Sequence, residues 1–253
     1  MTGDSRRKRE STASFDRFAE TYADSPTHVE GEDLDQLAEW CQQAKRPLDV
    51  ATGAGHTAGA VADATSTSVV AVDAASSMVE TAVSAYDGLQ GTVGDAERLP
   101  FFADSFDAVT CRIAAHHFPN PRRFVEEVAR VTEPGGTVAF EDNVAPDDES
   151  LDAFINDVER LRDPTHGRSH TISAWRSWFE DAGITVVETR LVTKTLEYEP
   201  WVRRLDTSSD RRATIEERFA TASDAVLEAF GVEFDAGVVS SFQSPKLLLH
   251  GRR

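Results

Sequence analysis

Two cysteines, Cys41 and Cys111, are all that the 253 residues contain. They cannot build a disulfide framework, and no CxxC spacing offers a zinc site. Lysine is almost as scarce: Lys8, Lys45, Lys194 and Lys246 are the lysines among 26 basic residues. No apolar run reaches the roughly 18 residues that a membrane-spanning helix needs. Arg6, Arg7, Lys8 and Arg9 sit near the N-terminus with no apolar stretch after them, so the run reads as a solvated tail rather than a secretory signal. These absences point to a soluble, cytoplasmic chain with no membrane insertion. Positive charge is also short overall, with 44 acidic residues giving a net charge of −18. Such a surface repels phosphate backbones and anionic lipids, which excludes nucleic acid as a partner. Many aspartates with few lysines form an acidic, salt-adapted surface, because concentrated salt screens self-repulsion.

What is present is enough apolar material, 40% of the residues, to build a packed interior. Strand-like and helix-like segments alternate from about residue 34 to residue 141. Leu34, Leu37, Ala38 and Cys41 share one helical face, and Pro47 precedes a short buried strand at 48–51. A glycine turn leads to a helix over 56–63. Strands follow at 68–72, 91–93, 106–112 and 137–140. Ser76 or Ser77 is the expected cap of the second helix, and Asn120 with Pro121 that of the third. Phe124, Val128 and Val131 repeat at helical spacing until Pro134-Gly135-Gly136. Strands and helices in this rhythm make βαβ units, hence an α/β, doubly wound, mostly parallel sheet whose ligands lie at the carboxyl ends of the strands. Beyond residue 145 the reading is helices at 151–162, 173–182 and 209–230, one long or two short strands within 184–198, and a last strand at 245–250. The whole chain reads as a single domain with helical insertions.

The chemistry gathers at the strand ends. Asp49-Val50-Ala51-Thr52-Gly53-Ala54-Gly55-His56-Thr57-Ala58 places Gly53 and Gly55 where a backbone must turn tightly and meet a ligand closely. Alone, this turn also satisfies the relaxed dinucleotide pattern GxGxxA. Asp73 ends the second strand, where a carboxylate accepts hydrogen bonds from ribose hydroxyls. Asp95 follows the third strand and suits an exocyclic adenine amine, with Ala96 beside it. A carboxylate at Asp49 repels a pyrophosphate and favours a cation. Three acids at successive strand ends therefore favour an adenosine with a positive centre, S-adenosyl-L-methionine, over a dinucleotide.

The segments LDVATGAG, VVAVDAASSMV, GDAERLPF, DSFDAVTCRIAAHHF and EEVARVTEPGGTVAF resemble, in order and spacing over residues 48–141, the motifs of class I S-adenosylmethionine-dependent methyltransferases. The likeness is to the group resembling the ubiquinone/menaquinone-biosynthesis C-methyltransferases. RLRDPTHGRSHTISAWRSWFEDAGI and YEPWVRR resemble a bacterial and archaeal subgroup, and residues 15–33 resemble an N-terminal lid. The resemblance implies a seven-stranded sheet and one methyltransferase domain: lid segment 1–33, cofactor-binding core 34–145, and substrate-side helical insertions with C-terminal strands over 146–253. It implies methyl transfer to a small-molecule acceptor, with S-adenosyl-L-homocysteine as product. It places Asp49, Gly53 and Gly55 by the methionine moiety, Asp73 on the ribose, Met78, Asp95 and Ala96 at the adenine, and Arg112 in the cofactor pocket. Ala51-Thr52 departs from the Gly-Cys or Gly-Ala of many members.

Transfer from a sulfonium is an in-line displacement that needs alignment first, and a base only where the acceptor, methylated at carbon or oxygen, must lose a proton. His117 and His116 are the candidates for that role. Tyr22, His166, His170 and Trp201 are candidate substrate-side residues, though His166 and His170 equally suit a structural hydrogen-bond network and the tryptophans a core. No HxH or HExxH spacing suggests a metal. An NAD-dependent dehydrogenase and a non-catalytic S-adenosylmethionine-binding protein are the alternative readings, and oligomeric state is left open, a homodimer included. From the acidic composition, the chain is expected to unfold when potassium chloride falls from about 1 M to about 0.01 M, as the Debye length grows from roughly 3 to 30 Å. Circular dichroism reads this, and a melting curve indifferent to salt would refute it.

Overall fold

The computed structural model describes residues 3–23 and 31–253, of residues 14–23 the backbone alone. The first helix, α1 (Gly3–Ala23), contains the basic run that reads as a tail in the sequence. Then come α2 (Glu32–Cys41), β1 (Pro47–Val50), α3 (His56–Thr65), β2 (Val69–Asp73), α4 (Ser76–Ala85), β3 (Leu89–Val93), β4 (Phe106–Arg112), α5 (Pro121–Val131) and β5 (Thr132–Ala145). The second half holds α6 (Glu149–Arg162), β6 (His170–Thr171), α7 (Ile172–Asp181), β7 (Thr185–Glu197), α8 (Tyr198–Arg203), α9 (Ser209–Ala220), α10 (Asp224–Ala229), β8 (Glu233–Asp235) and β9 (Val238–Arg252). Seven strands run in the order β3-β2-β1-β4-β5-β9-β7, with β6 added to β5 and β8 to β9. The first five pair in parallel, and β9 enters antiparallel between β5 and β7. This is the expected doubly wound sheet with a late antiparallel edge.

Alternation along the strands sorts side chains by size. Leu48, Val50, Val109, Val138 and Phe140 point to the face covered by α5 and α7, where Phe124, Trp175 and Phe179 fill the layer. The opposite face offers Ala71, Ala108 and Ala139, and against these α2 and α3 pack through Leu37, Ala38, Ala58 and Val61. Alanines let those helices approach closely. A third apolar cluster joins α6, α8, α9 and α10 to the start of β9 through Ile155, Trp201, Phe219, Val226 and Phe242. This is the helical cap over the carboxyl ends of the strands.

Several local expectations are corrected. α4 starts without a side-chain cap from Ser76 or Ser77, because Asp73 Oδ1 accepts the Ala75 N–H at 2.9 Å. Asn120 precedes α5 as expected, but its amide donates to Glu97 at 3.2 Å instead of capping the helix. The single helix expected over 209–230 is two, since Ser223 caps a new start by accepting from Val226 N. β5 and β9 are longer than their apolar runs, extended by pairing with each other from Thr137↔Arg252 to Asn143↔Lys246. Ala139→Leu pushes two added branches into the alanine face, and overpacking of this kind costs about 1–3 kcal/mol. A lowered urea midpoint is expected, and an unchanged one would mean that α2 and α3 do not lie closely on that face.

Candidate active site

β1, β2 and β4 end on one side of the sheet, and a cavity of about 400 Å³ opens there. Of the residues anticipated for the cofactor, Gly53, Asp73, Met78, Asp95, Ala96 and Arg112 line it. The turn after β1 is built by backbone geometry. Ala51 takes φ 55° and Gly53 φ 53°, while Thr52 N–H donates to Val72 O at 3.0 Å and keeps the loop against β2. Gly53 N–H donates to Asp73 Oδ2 at 3.0 Å, so the glycine loop and the start of α4 hold the Asp73 carboxylate between them. Gly55 makes the tight turn anticipated of it, at φ 92°. It does not line the cavity, and a Cβ there would stand 2.8 Å from that of Ala82, so it permits α3 to cross α4.

Asp49 lies beneath the cavity rather than in its lining, 1% exposed. Thr110 Oγ1 donates to its Oδ1 at 2.5 Å, and its Oδ2 has no hydrogen-bond partner among the described residues. Burial pushes its pKa up to about 6, against the Thr110 hydrogen bond. Asp95 receives Glu97 N–H at Oδ1 (2.9 Å) and the Lys8 ammonium at Oδ2 (2.7 Å). The Arg112 side chain turns away into the interior, where Nη2 donates to Asp33 at 2.6 Å and Nε to Glu141 at 2.7 Å.

A short 3-10 turn, Ala115–His117, carries the histidine pair. His117 lines the cavity and His116 does not. His117 Nδ1 is 3.1 Å from Thr165 O. A carbonyl only accepts, so the proton of the neutral ring sits on Nδ1 and Nε2 is the basic nitrogen. Asp163 Oδ2 lies 4.0 Å from that Nε2. His116 is buried, with Nδ1 at 2.6 Å from Asp142 Oδ1, and burial together with the charge of His117 holds its pKa well below the usual histidine range. The loop after α6 straps onto this turn: Gly167 and Arg168 both donate backbone N–H to His116 O at 2.9 Å. A Cβ on Gly167 would come 2.8 Å from that oxygen.

The substrate-side candidates do not converge. His166 is buried with Nε2 at 3.2 Å from Asn156 Oδ1, and burial lowers its pKa to about 2. Asn156 also accepts Ser169 N–H at 2.7 Å, so His166 belongs to a structural network. His170 packs edge-on to Trp178 at 4.8 Å. Trp201 is a core residue of the cap, 3% exposed and 5.0 Å from Phe242, which corrects its placement beside an acceptor. The Tyr22 side chain lies outside the described residues. Among the described residues no cluster of three His, Cys, Asp or Glu is arranged to hold a metal. Two elements escaped the sequence reading: Lys8, hidden in a run that reads as solvent-facing, and Asp163, whose meeting with His117 comes from a loop 46 positions away.

Residues 48–140 match the family described as Methyltransferase domain. Over nearly its whole length the chain is similar to the uncharacterized methyltransferase YcgJ of Bacillus subtilis, with 36% identity covering 94% of this chain and 96% of that one. The solved YcgJ structure superposes with a TM-score of 0.83 at 35% identity, covering 87% and 97% of the two chains. A solved protein of Bacillus halodurans gives 0.84 at 34% identity, covering 88% and 99%. The demethylmenaquinone methyltransferase of Renibacterium salmoninarum is 38% identical over 36% of this chain and 38% of its own length.

The raised pKa of Asp49 fixes a sign. A carboxyl that holds its proton more tightly folded than unfolded loses stability as pH rises from about 4 through about 6, and that loss persists above. Asp49→Asn keeps an oxygen for Thr110 and removes the charge. It is expected to match the parent near pH 4 and to exceed its stability at pH 8 by up to about 2–3 kcal/mol, a two-unit shift at 1.36 kcal/mol per unit. Urea unfolding at both pH values measures this, and a variant weaker at pH 8 would show the carboxylate to be stabilising.

Proposed function

The chain belongs to the S-adenosylmethionine-dependent methyltransferase family, and from that premise we propose that it methylates a small phenol or enol held against His117. The observation that carries the reading is the arrangement of three acids on adjacent strands, with Asp73 and Asp95 in the lining of one cavity and Asp49 buried beneath it. S-adenosylmethionine supplies a methyl group on a positively charged sulfur, already activated for in-line displacement. The residues fit such a group. Asp73, fixed by Gly53 and Ala75, accepts from ribose hydroxyls, and Met78 gives an apolar wall. Asp95 accepts from the adenine amine while Ala96 offers its backbone N–H. The orphaned Oδ2 of Asp49 makes the floor of the site favour a cation.

The remaining work is alignment and proton transfer. Holding acceptor and donor in near-attack geometry supplies roughly 7–11 kcal/mol of the barrier. His117 Nε2 takes the acceptor's proton, and the Asp163 carboxylate 4.0 Å away stabilises the imidazolium that results. An enolate or phenolate formed this way is nucleophilic at oxygen and at the carbon next to the one that bears it, which accommodates C- and O-methylation alike. His116, neutral and hydrogen-bonded to Asp142, positions the turn. The Renibacterium relative is named for a quinone precursor, but its likeness covers only 36% of this chain, so the acceptor is proposed by chemistry alone.

Calorimetric titration of S-adenosylhomocysteine and, separately, NADH into the protein in concentrated potassium chloride tests the cofactor reading. Binding of S-adenosylhomocysteine alone is expected. Asp73→Ala should weaken it by about 100-fold, the scale of two charge-assisted hydrogen bonds at 1.5–3 kcal/mol each before water compensates. His117→Gln should leave it within about threefold, since that residue acts on the acceptor. Binding of NADH alone would favour a dehydrogenase. Binding of S-adenosylhomocysteine with no turnover across a panel of phenols and enols would favour a non-catalytic binder.

A further inference from the structure

α1 lies along α4, and through Lys8, Arg9, Ser11 and Thr12 it forms one wall of the cavity. Lys8 ties this helix across the cavity, its ammonium 2.7 Å from Asp95 Oδ2 and 2.6 Å from Glu97 Oε2. Glu97 is itself anchored, 6% exposed and accepting Asn120 N–H at 2.6 Å. Asp95 Oδ1 is engaged by the Glu97 N–H at 2.9 Å. Oδ2, the Asp95 oxygen that no backbone N–H engages, is the one that Lys8 holds, and an incoming exocyclic amine competes with the ammonium there.

The two donors are unequal. An ammonium on a carboxylate adds to its hydrogen bond the attraction between two full charges, which a neutral amine on the same carboxylate lacks. Lys8 also brings α1 with it across the cavity wall. We propose that Lys8 is a bolt: in the cofactor-free chain it fastens α1 over the adenine end, and cofactor entry requires it to leave Asp95. This inference rests on the assignment of Asp95 to the adenine. A binding-competent state populated only in part lowers the apparent affinity by that fraction. Salt weakens a partly exposed ion pair, so affinity for a neutral zwitterion such as S-adenosylhomocysteine should rise with potassium chloride.

The test is titration of S-adenosylhomocysteine into the parent, Lys8→Met and Glu97→Gln at the lowest potassium chloride that keeps the parent folded and again at high potassium chloride, with stopped-flow association rates. Glu97→Gln loosens Lys8 while keeping an oxygen for Asn120 and leaving Asp95 intact. Both variants are expected to bind about 3- to 10-fold tighter and to associate faster at low salt, with the gap closing at high salt. Melting curves by circular dichroism confirm that each variant is folded, and either variant alone decides the sign. Unchanged or weaker binding in the folded variants overturns the bolt and leaves the cofactor reading standing. No binding by parent and variants alike sinks the cofactor reading, and the bolt with it.

Discussion

The guanidinium of Arg112 is the contact on which the functional end of the sheet depends. It sits at the last residue of β4, 3% exposed, between Asp33 of α2 and Glu141 of β5. Asp33 is gripped a second time by Lys194 of β7 at 2.7 Å. One charged cluster therefore ties α2, β4, β5 and β7 together directly beside the cavity. The neighbouring cations hold the Asp33 carboxyl well below the usual carboxylate range despite its burial. Glu141 goes the other way, up to about 7, because full burial outweighs what Arg112 returns and its Oε1 has no partner among the described residues. Such a cluster holds its geometry strictly: removing one member of a buried ion pair leaves the other uncompensated, at about 3–5 kcal/mol.

Strain gathers at the same place. Ala51 after β1 and Ile113 after β4 adopt φ of 55° and 51°, and both line the cavity. Their strands are neighbours. A β-branched residue in the left-handed region is a true outlier, and each such residue costs about 1–3 kcal/mol. The surroundings over-determine both. Thr52 is tied to Val72 just after Ala51, and Ile113 N–H donates to Glu141 O at 2.7 Å. Burial of the large side chains on the α5 and α7 face offsets that cost at a distance. The sheet is divided along its strands, with stability at the middle and strained, charged ends that shape a site.

The sequence was legible where physics is local. The period of Phe124, Val128 and Val131, the β-branched run before Asp73, and the two glycines after β1 each announce their element, and the acids at strand ends announce a ligand. Partnerships between distant segments were not legible. Neither serine caps α4, whose N-cap is Ala75 with its N–H given to Asp73, and no local pattern encodes that. Trp201 read as an acceptor-pocket aromatic and proved to be core, since helical spacing alone does not say which helix faces it. Lys8 lay in a run of four basic residues of which nothing local singles out one. Its role comes from Asp95 and Glu97, nearly ninety positions away.

Asp49 shows how these threads meet. Its carboxylate is buried with one oxygen unanswered, so the site is held at the expense of folding free energy whenever that group is ionised. In the proposed reading a cationic ligand in the cavity above offsets that charge, and whatever binds the native state alone stabilises it by RT ln(1 + [L]/Kd). The same logic applies at the other end of the cavity, where Lys8 answers Asp95 and Glu97 from within the chain. A carboxylate reachable from α1 was given an internal partner, and one sealed beneath the glycine loop was not. The difference is access. In the proposed reading only the sealed carboxylate waits for a ligand to supply its counter-charge, and that makes Asp49 the residue where stability and binding are most directly opposed.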